Sequence, residues 1–227
     1  MQEHDLLDEI STHDLVQPLT AIKLQAQLAA RRLRDDDAAV ADVLSALDAI
    51  ADRAGALADN LAMQLLAGDH DASSLRVGAC DVVAIVRSVV AALDAADSAR
   101  VLVIAPPSVI GGWDGARLAQ VAWNLISNAL KYSAPDDTVR VSVEECLAGV
   151  RIYVDDDGIG LAPDEIDRVF TRGYRSPRVV SSGIPGVGLG LSGCRAIVEA
   201  HGGTIAAESD GEGLGARFTI TLPRSLP

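Results

Sequence analysis

The sequence predicts an α+β protein in which an antiparallel helical hairpin, residues 1–68, is followed by an α/β sandwich, residues 75–227. In the first part, apolar residues repeat every three or four positions; in the second, short β-rich runs alternate with helical patterns. Every aromatic residue lies at Trp113 or later, so the two parts also differ in composition. We therefore place a boundary near Gly68 and a linker at residues 69–74.

Heptad seams run along both halves of the first part. One seam extends from Leu15 to Leu33 and the other from Val40 to Leu61. The acidic run between them predicts a turn and a helix N-cap. Because two helices of about 30 residues leave an apolar stripe uncovered, we expect two copies to form a four-helix bundle, which makes the chain a homodimer. The alternative is a hairpin that packs on its own second domain.

Composition and charge limit the classes of binding partner and the cellular compartment that are expected. The formal net charge of -13 disfavours nucleic acid and anionic membrane surfaces as main partners, because both require a basic patch. The three cysteines share no metal-ligand spacing, which favours buried thiols in a reducing compartment. No apolar stretch reaches the roughly 18 residues of a membrane helix, and no signal-like start is present. We expect a cytoplasmic chain without membrane insertion.

His13 is the candidate nucleophile of the first helix. At about 100° per residue, with the seam at zero, His13 falls near ~160° and Gln17 near ~200°, so both face solvent. Asp14 can hydrogen-bond one imidazole nitrogen and leave the other free to attack a phosphoryl group, while Pro18 bends the helix. His13, Asp14 and Gln17 are thus the candidate catalytic residues here. The alternatives are an ordinary exposed histidine, or His4, which no proline follows.

The central helix of the second part carries amides and a cation on one face. Asn124, Asn128 and Lys131 follow one another at helical spacing, after a predicted cap at Asp114. An amide oxygen together with phosphate oxygens suits Mg²⁺, which makes Asn128 the candidate metal ligand. Lys131 would meet phosphate, and Tyr132 would pack near the base or ribose. The alternative is a capped amphipathic helix with its amides on the wet side.

Two glycine-rich segments follow, at residues 155–160 and 186–191. Gly158 and Gly160 let the backbone approach a ligand closely. The second segment opens a helix, so its free N–H groups and the positive end of the helix dipole face a phosphate. It has neither the Gly-Lys-Ser/Thr ending of a P-loop nor a strand just before it, so a dinucleotide fold is also disfavoured. His201 closes this helix, and we expect it to be structural.

The segment between the two glycine-rich runs is too long and polar for an ordinary connection. It looks like a mobile lid over a nucleotide. Phe170 is expected to be its hydrophobic anchor. Arg172 or Arg175 would reach the phosphates.

These motifs resemble those of a known family. The Asn-x-x-x-Asn-Ala-x-Lys-Tyr string at 124–132, Asp-x-Gly-x-Gly at 156–160 and the glycine run at 186–191, followed by Gly213-Leu214-Gly215, resemble the nucleotide-binding boxes of the histidine-kinase branch of the Bergerat-fold ATPases. His13-Asp14-Leu15-Val16-Gln17-Pro18-Leu19 resembles the phosphoacceptor box of the same kinases. The resemblance covers nearly the whole chain and implies a two-component sensor kinase core.

The resemblance assigns roles to individual residues. Asp156 would accept the exocyclic amine of adenine and repel the carbonyl of guanine. Asn124 stands where family members that hydrolyse ATP carry Glu, and an amide is a poor general base, which favours transfer to His13 over hydrolysis. Gln17 lies where many relatives hold a residue that orients a water, so phosphatase activity on the regulator is plausible. The implied ATP-binding set is Asn124, Asn128, Lys131, Tyr132, Asp156, Gly158, Gly160, Arg172, Arg175, Gly186, Gly188, Leu189, Gly190 and Leu191.

The implied function is an autokinase that uses ATP and Mg²⁺ to phosphorylate His13, then passes the phosphoryl group to an Asp of a response regulator receiver domain. One alternative is a dimeric phosphotransfer protein whose second domain does not bind ATP. Another is an ATP-driven clamp or a protein-serine kinase of the same superfamily. The stimulus, the identity of the regulator and transfer within or between subunits stay open. Either the chain is the catalytic fragment of a longer sensor, or its input comes from another protein.

Overall fold

A computed structural model describes residues 75–182, 184 and 188–224. The chain divides into two compact units, and residues 75–176 and 188–224 belong to one of them. The hairpin expected at residues 1–68 and the linker at 69–74 lie outside the described residues. In chain order, the helices and strands are β1 (Gly78–Asp81), α1 (Val82–Ala92), α2 (Ala95–Ala99), β2 (Val101–Ile104), β3 (Ile110–Trp113), α3 (Gly115–Tyr132), β4 (Val139–Cys146), β5 (Gly149–Asp156), a 3₁₀ turn (Arg168–Phe170), α4 (Pro177–Ser181), α5 (Gly190–Ala200), β6 (Thr204–Glu208) and β7 (Ala216–Leu222).

Five strands form one mixed sheet in the order β2-β4-β5-β7-β6. The pair β2–β4 is parallel, whereas β4–β5, β5–β7 and β6–β7 are antiparallel. Strands β1 and β3 form a separate antiparallel ribbon.

Alternate residues along the central strands face the helices. On β4 these are Val139, Val141 and Val143, and the same alternation continues on β5 and β7. They pack in one core with the buried sides of α1, α3 and α5. The opposite side of the sheet carries exposed residues such as Arg140 and Arg151. This arrangement confirms the predicted α/β sandwich.

Aspartates cap three helices of this unit. The side chain of Asp81 accepts the N–H of Val83 at the start of α1, and Asp94 caps α2 in the same way. Asp114 accepts the N–H of Arg117 at 3.2 Å, which confirms the predicted cap of α3. α5 differs, since no described side chain caps its first residue.

Trp113 joins the ribbon to the end of the sheet. Its indole N–H donates to the carbonyl oxygen of Pro223 at 2.7 Å, and its ring is 1% exposed. A Cβ at Gly111 would lie 2.3 Å from the ring, so glycine is needed there for the tryptophan to fold back.

The sequence predicts strands at residues 101–104, 139–144, 150–154 and 217–222 and helices near 82–93, 115–132 and 189–201. Strands β2, β4, β5 and β7 and helices α1, α3 and α5 end within two residues of these bounds. Strands β1, β3 and β6 were not predicted. Each is short and contains glycine or alanine, which pack poorly on a pleated surface and weaken the strand pattern.

The other compact unit contributes α4 to the described residues. In α4 and just after it, the hydroxyls of Ser181 and Ser182 each donate to the carbonyl oxygen of Arg178 at 2.9 Å. Across the described part of the chain, no helix combines the length and the apolarity required to span a bilayer.

Candidate nucleotide-binding site

α3 and α5 come together where Asn124 faces Gly190. A Cβ at Gly190 would lie 2.7 Å from Asn124 Oδ1, so only glycine permits this approach. α5 begins at this point without a side-chain cap among the described residues. The N–H groups of its first turn therefore keep their capacity to bind an anion, at the positive end of the helix dipole. The structure thus brings the first asparagine of α3 to the expected phosphate cradle.

Cys194 packs on α3 one turn before the same asparagine, with its Sγ 4.0 Å from the carbonyl oxygen of Val121. It lies one turn after Gly190 on α5 and is fully buried. Burial raises the pKa of its thiol to about 12, although a hydrogen bond from the Asn124 side chain acts in the opposite direction. Sequence reasoning missed Cys194 as a site residue. The signal was its spacing of four from Gly190, which places both on one helix face.

Tyr132, at the other end of α3, supports the first glycine-rich loop. Its carbonyl oxygen accepts the N–H of Ile159 at 3.1 Å. A Cβ at Gly158 would lie 2.4 Å from that oxygen, so the close approach requires glycine. Burial raises the pKa of the Tyr132 phenol, and the charge of Arg175 opposes this. The loop after β5 is thereby fixed on the end of the helix that carries the asparagines.

Asp156 ends β5 as a half-buried carboxylate. Its Oδ1 accepts the N–H of Gly158 at 2.9 Å. Burial raises the pKa of Asp156, while backbone N–H groups of Gly158 and Ala216 lower it. Gly215, with φ +70°, runs so close that a Cβ would lie 2.0 Å from the Asp156 carbonyl oxygen. The carboxylate is therefore held in place by backbone contacts and keeps acceptor capacity for an amine.

Ser209 braces the second half of this loop. Its hydroxyl accepts the N–H of Leu161 at 3.0 Å and donates to the carbonyl oxygen of Gly215 at 2.6 Å. Gly160 has φ +62°, and a Cβ there would lie 2.1 Å from the Gly211 carbonyl oxygen. Ser209 was also missed from the sequence, where its place before a glycine-rich turn was the available signal.

Lys131 lies over the ring of Tyr132, its neighbour in the chain. The Lys131 ammonium is 5.3 Å from the centroid of the Tyr132 ring. Desolvation, followed by the positive charge of Arg175, lowers the pKa of Lys131. The charge of Arg175 thus acts on the pKa of both Lys131 and Tyr132. Arg172 is exposed.

Asn128 lies on α3 one turn after Asn124 and is half-buried. Its amide oxygen is a hard donor of the kind that Mg²⁺ accepts alongside phosphate oxygens and waters. The donor chemistry at this position therefore fits the expected metal.

Phe170 is the buried anchor of the segment that precedes α5. It is 4% exposed and stacks edge-on against Phe218, with ring centroids 6.2 Å apart. The guanidinium of Arg195, on α5, lies 4.3 Å from the centroid of the Phe170 ring. The expected hydrophobic role of Phe170 agrees with these contacts.

Gly173 and Gly188 lie next to each other in this unit. The N–H of Gly173 donates to the carbonyl oxygen of Gly188 at 2.9 Å, and both residues have positive φ. A Cβ at Gly188 would lie 2.7 Å from the Tyr174 carbonyl oxygen. Tyr174 in turn donates its hydroxyl to buried Glu165 at 3.3 Å.

Of the residues proposed from the sequence, the described part of the chain places Gly190 against Asn124 and joins Tyr132 to the loop that contains Asp156. Leu189 and Leu191 flank Gly190 and are half-buried. His13, Asp14, Gln17 and Gly186 lie outside the described residues.

Comparison with known proteins agrees with this geometry. Residues 113–226, half of the chain, match the family "Histidine kinase-, DNA gyrase B-, and HSP90-like ATPase". Sensor protein SrrB of Staphylococcus aureus (strain NCTC 8325 / PS 47) is 37% identical over 115 residues, which is 51% of this chain and 20% of that protein. The chain thus spans about a fifth of the length of the curated relatives it matches.

Two solved structures share the fold. The mycobacterial sensor histidine kinase MprB has a TM-score of 0.58 at 24% identity and covers 66% of this chain and 99% of its own. Full-length ShkA in complex with AMPPNP has a TM-score of 0.60 at 22% identity and covers 95% of this chain and 45% of its own. The chain therefore belongs to the histidine kinase-, DNA gyrase B- and HSP90-like ATPase family.

Proposed function

We propose that the chain is an ATP-dependent protein-histidine autokinase of a two-component system. The observation that carries the proposal is the approach of Gly190 to Asn124 Oδ1 at the uncapped start of α5. Asn124 therefore places an amide, and not a carboxylate, where a triphosphate would contact the start of α5. An amide is a poor general base for water, so this position favours phosphoryl transfer to a side chain over hydrolysis.

Each part of ATP has a matching group in this unit. The Asp156 carboxylate accepts the exocyclic amine of adenine, and the start of α5 takes the phosphates. Lys131 and Arg175 supply positive charge beside Tyr132, in a chain whose formal net charge is -13. Asn128 would hold Mg²⁺, which neutralises the phosphate charge. ShkA, which shares the fold, was solved with the ATP analogue AMPPNP.

His13 is the proposed acceptor. One imidazole nitrogen attacks the γ-phosphorus; a P–N bond forms, the bond from phosphorus to the β,γ-bridging oxygen breaks, and ADP leaves. Asp14 holds the other ring nitrogen. In the second step, an Asp carboxylate oxygen of the response regulator attacks the same phosphorus, and the P–N bond breaks.

The remaining parts of the proposal concern assembly and partners. Residues 1–68 form the dimeric helical hairpin, and the receiver domain of the regulator docks around His13 and Pro18. Gln17 orients a water for dephosphorylation of the regulator. The described cysteines are free thiols, in keeping with a reducing cytoplasm. The relative SrrB is named a sensor protein, which fits the same pathway class.

The test incubates wild type, His13→Ala and His4→Ala with radiolabelled Mg-ATP, then determines the acid and base stability of the protein-bound label. We expect acid-labile, base-stable label on wild type and His4→Ala, and none on His13→Ala. ATP binding without any label would instead support the clamp. Absence of ATP binding would support the phosphotransfer protein.

A further inference from the structure

We propose that Glu165 is a positioning residue, which holds Tyr174 and, through it, the segment that contacts Gly188 just before α5. The proposal rests on the nucleotide site proposed above and deepens it, because it gives a buried carboxylate outside the expected ATP-binding set a part in binding Mg-ATP.

Each oxygen of the Glu165 carboxylate accepts a hydrogen bond. The residue is only 4% exposed. Its Oε2 accepts the N–H of Ala162 at 3.0 Å, and its Oε1 accepts the hydroxyl of Tyr174 at 3.3 Å. The first contact closes a local turn, in which the Glu165 N–H also donates to the Ala162 carbonyl oxygen at 2.9 Å. The second contact reaches nine positions along the chain, and the turn does not require it.

Tyr174 has further contacts that fix its ring and its backbone. The guanidinium of Arg168 lies 4.6 Å from the centroid of the ring. The N–H of Tyr174 donates to the carbonyl oxygen of Thr171 at 3.0 Å. Desolvation, followed by the charge of Glu165, raises the pKa of the Tyr174 phenol, so the hydroxyl keeps the proton that it donates. Because a buried charge is costly without hydrogen-bond donors, the carboxylate favours the same contact.

The backbone of Tyr174 supports the residues that lead into α5. A Cβ at Gly188 would lie 2.7 Å from the Tyr174 carbonyl oxygen, and the N–H of Gly173 donates to the Gly188 carbonyl oxygen at 2.9 Å. Gly188 lies two positions before the start of α5, where the phosphates of ATP are expected. Arg175, also expected at the phosphates, follows Tyr174 directly. A displaced Tyr174 would therefore shift both of these binding groups, and misplaced groups bind and react less well.

The first test is a double-mutant cycle on the affinity for Mg-ATP, measured by calorimetry at a temperature at which every variant is folded. Tyr174→Phe removes the hydroxyl and keeps the ring beside Arg168. Glu165→Gln retains an oxygen for the Ala162 N–H and replaces the charged acceptor of the phenol by a neutral amide. The two changes are made singly and together. Tyr153→Phe is the matched control, because Tyr153 lies on the side of β5 that faces away from the helices.

The second test measures trypsin cleavage after Arg172 and Arg175 in the absence of nucleotide, with the cut sites identified by mass spectrometry. Cleavage at these arginines requires the segment around Tyr174 to leave its contacts. The cleavage rate therefore reports how firmly Glu165 holds the segment, independently of ATP.

We expect Tyr174→Phe to weaken Mg-ATP binding about 5-fold, the value of one hydrogen bond. In the Glu165→Gln background the same change should weaken binding less than about 2-fold. Cleavage after Arg175 should be about 5-fold faster in Tyr174→Phe than in wild type. Tyr153→Phe should change neither property. If Glu165→Gln does not fold, the contrast between the two phenylalanine variants decides the outcome.

Equal effects of Tyr174→Phe in both Glu165 backgrounds would overturn the proposal, since the hydroxyl would then act without Glu165. Weaker binding with unchanged cleavage would also overturn it, because the phenol would then contact the nucleotide itself. Failure of the wild-type chain to bind Mg-ATP would overturn both this proposal and the proposed function. Binding with the expected coupling, but without label on His13, would overturn the proposed function and leave the role of Glu165 standing.

Discussion

His201 Nε2 accepts the backbone N–H of Asp114 at 2.9 Å, and Nδ1 of the same ring lies 2.8 Å from the carbonyl oxygen of Ile197. The imidazole is fully buried. With Nε2 as an acceptor, Nδ1 must carry the proton and donate to Ile197, so the ring is neutral. This histidine joins the end of α5 to the start of α3, the two helices that approach each other at Asn124 and Gly190.

Replacement of His201 by alanine should therefore destabilise the fold strongly. The variant leaves a cavity and a buried Asp114 N–H without an acceptor, and we expect a loss of about 2–4 kcal/mol in the free energy of unfolding. Urea denaturation followed by tryptophan fluorescence measures it. Glu199→Ala, an exposed change on the same helix, is the control and should stay within about 0.5 kcal/mol. Similar losses in the two variants would contradict the structural role of His201.

Gly190→Ala should impair the nucleotide site while the fold survives. The added Cβ would lie 2.7 Å from Asn124 Oδ1 and push the amide aside. We expect label transfer from Mg-ATP to fall by about 10²-fold, as for other misplaced reacting groups. Thermal unfolding should show that the variant remains folded.

Gly193→Ala is the matched control on the same helix. A Cβ at Gly193 meets no atom within 4 Å, so alanine should raise stability by about 0.5–1 kcal/mol through its higher helix propensity. Its transfer rate should equal that of wild type. If the two alanine variants transferred label at the same rate, the contact between Gly190 and Asn124 would not contribute to phosphoryl transfer.

Asp156→Asn should gain stability and lose ATP binding. Because burial raises the pKa of Asp156, the folded protein holds this proton more tightly than the unfolded chain does. At a pH above this raised pKa, the charged carboxylate therefore lowers the free energy of unfolding. This destabilisation disappears as the pH falls through the pKa of Asp156. The variant should unfold at higher urea than wild type at pH 7, and the difference should vanish in acid.

The same variant should bind Mg-ATP at least about 10-fold more weakly by calorimetry, because a charged acceptor for adenine is replaced by a neutral amide. Asp157 is an exposed neighbour, and Asp157→Asn should change neither the stability to urea nor the affinity for Mg-ATP. A loss of stability in Asp156→Asn at pH 7 would show that its hydrogen bonds from Gly158 and Ala216 outweigh burial.

Local pattern explains which parts of this unit were predictable. Alternating valines mark β4, and an aspartate before an amphipathic run marks the cap of α3. Glycines at 158 and 190 were recognisable because fixed motifs surround them. In the structure each is required by a contact with α3, from the Tyr132 carbonyl oxygen and from Asn124 Oδ1.

The missed features depend on partners distant in sequence. Strand β3 contains Ile-Gly-Gly-Trp, in which only the ring of Trp113 folding over Gly111 makes glycine favourable. From the sequence alone, Cys194 is an ordinary buried thiol. Asn124 lies 70 positions earlier in the chain, and only the fold brings α3 and α5 together. Ser209 likewise needs the loop at Leu161 beside it. Local periodicity does not predict such contacts between residues distant in sequence.

The two arginines of the lid segment should differ in effect. The charge of Arg175 acts on the pKa of both Lys131 and Tyr132, and Arg175 is half-buried, whereas Arg172 is exposed. We expect Arg175→Gln to weaken Mg-ATP binding by about 10-fold, and Arg172→Gln by clearly less.

Desolvation and the charge of Arg175 together lower the pKa of Lys131, so loss of Arg175 should raise the pKa of Lys131. The remaining affinity of Arg175→Gln should therefore persist to higher pH than that of wild type, measured by calorimetry across the alkaline range. Equal losses from the two glutamine variants, with no shift of the alkaline limb, would place Arg175 away from the phosphates.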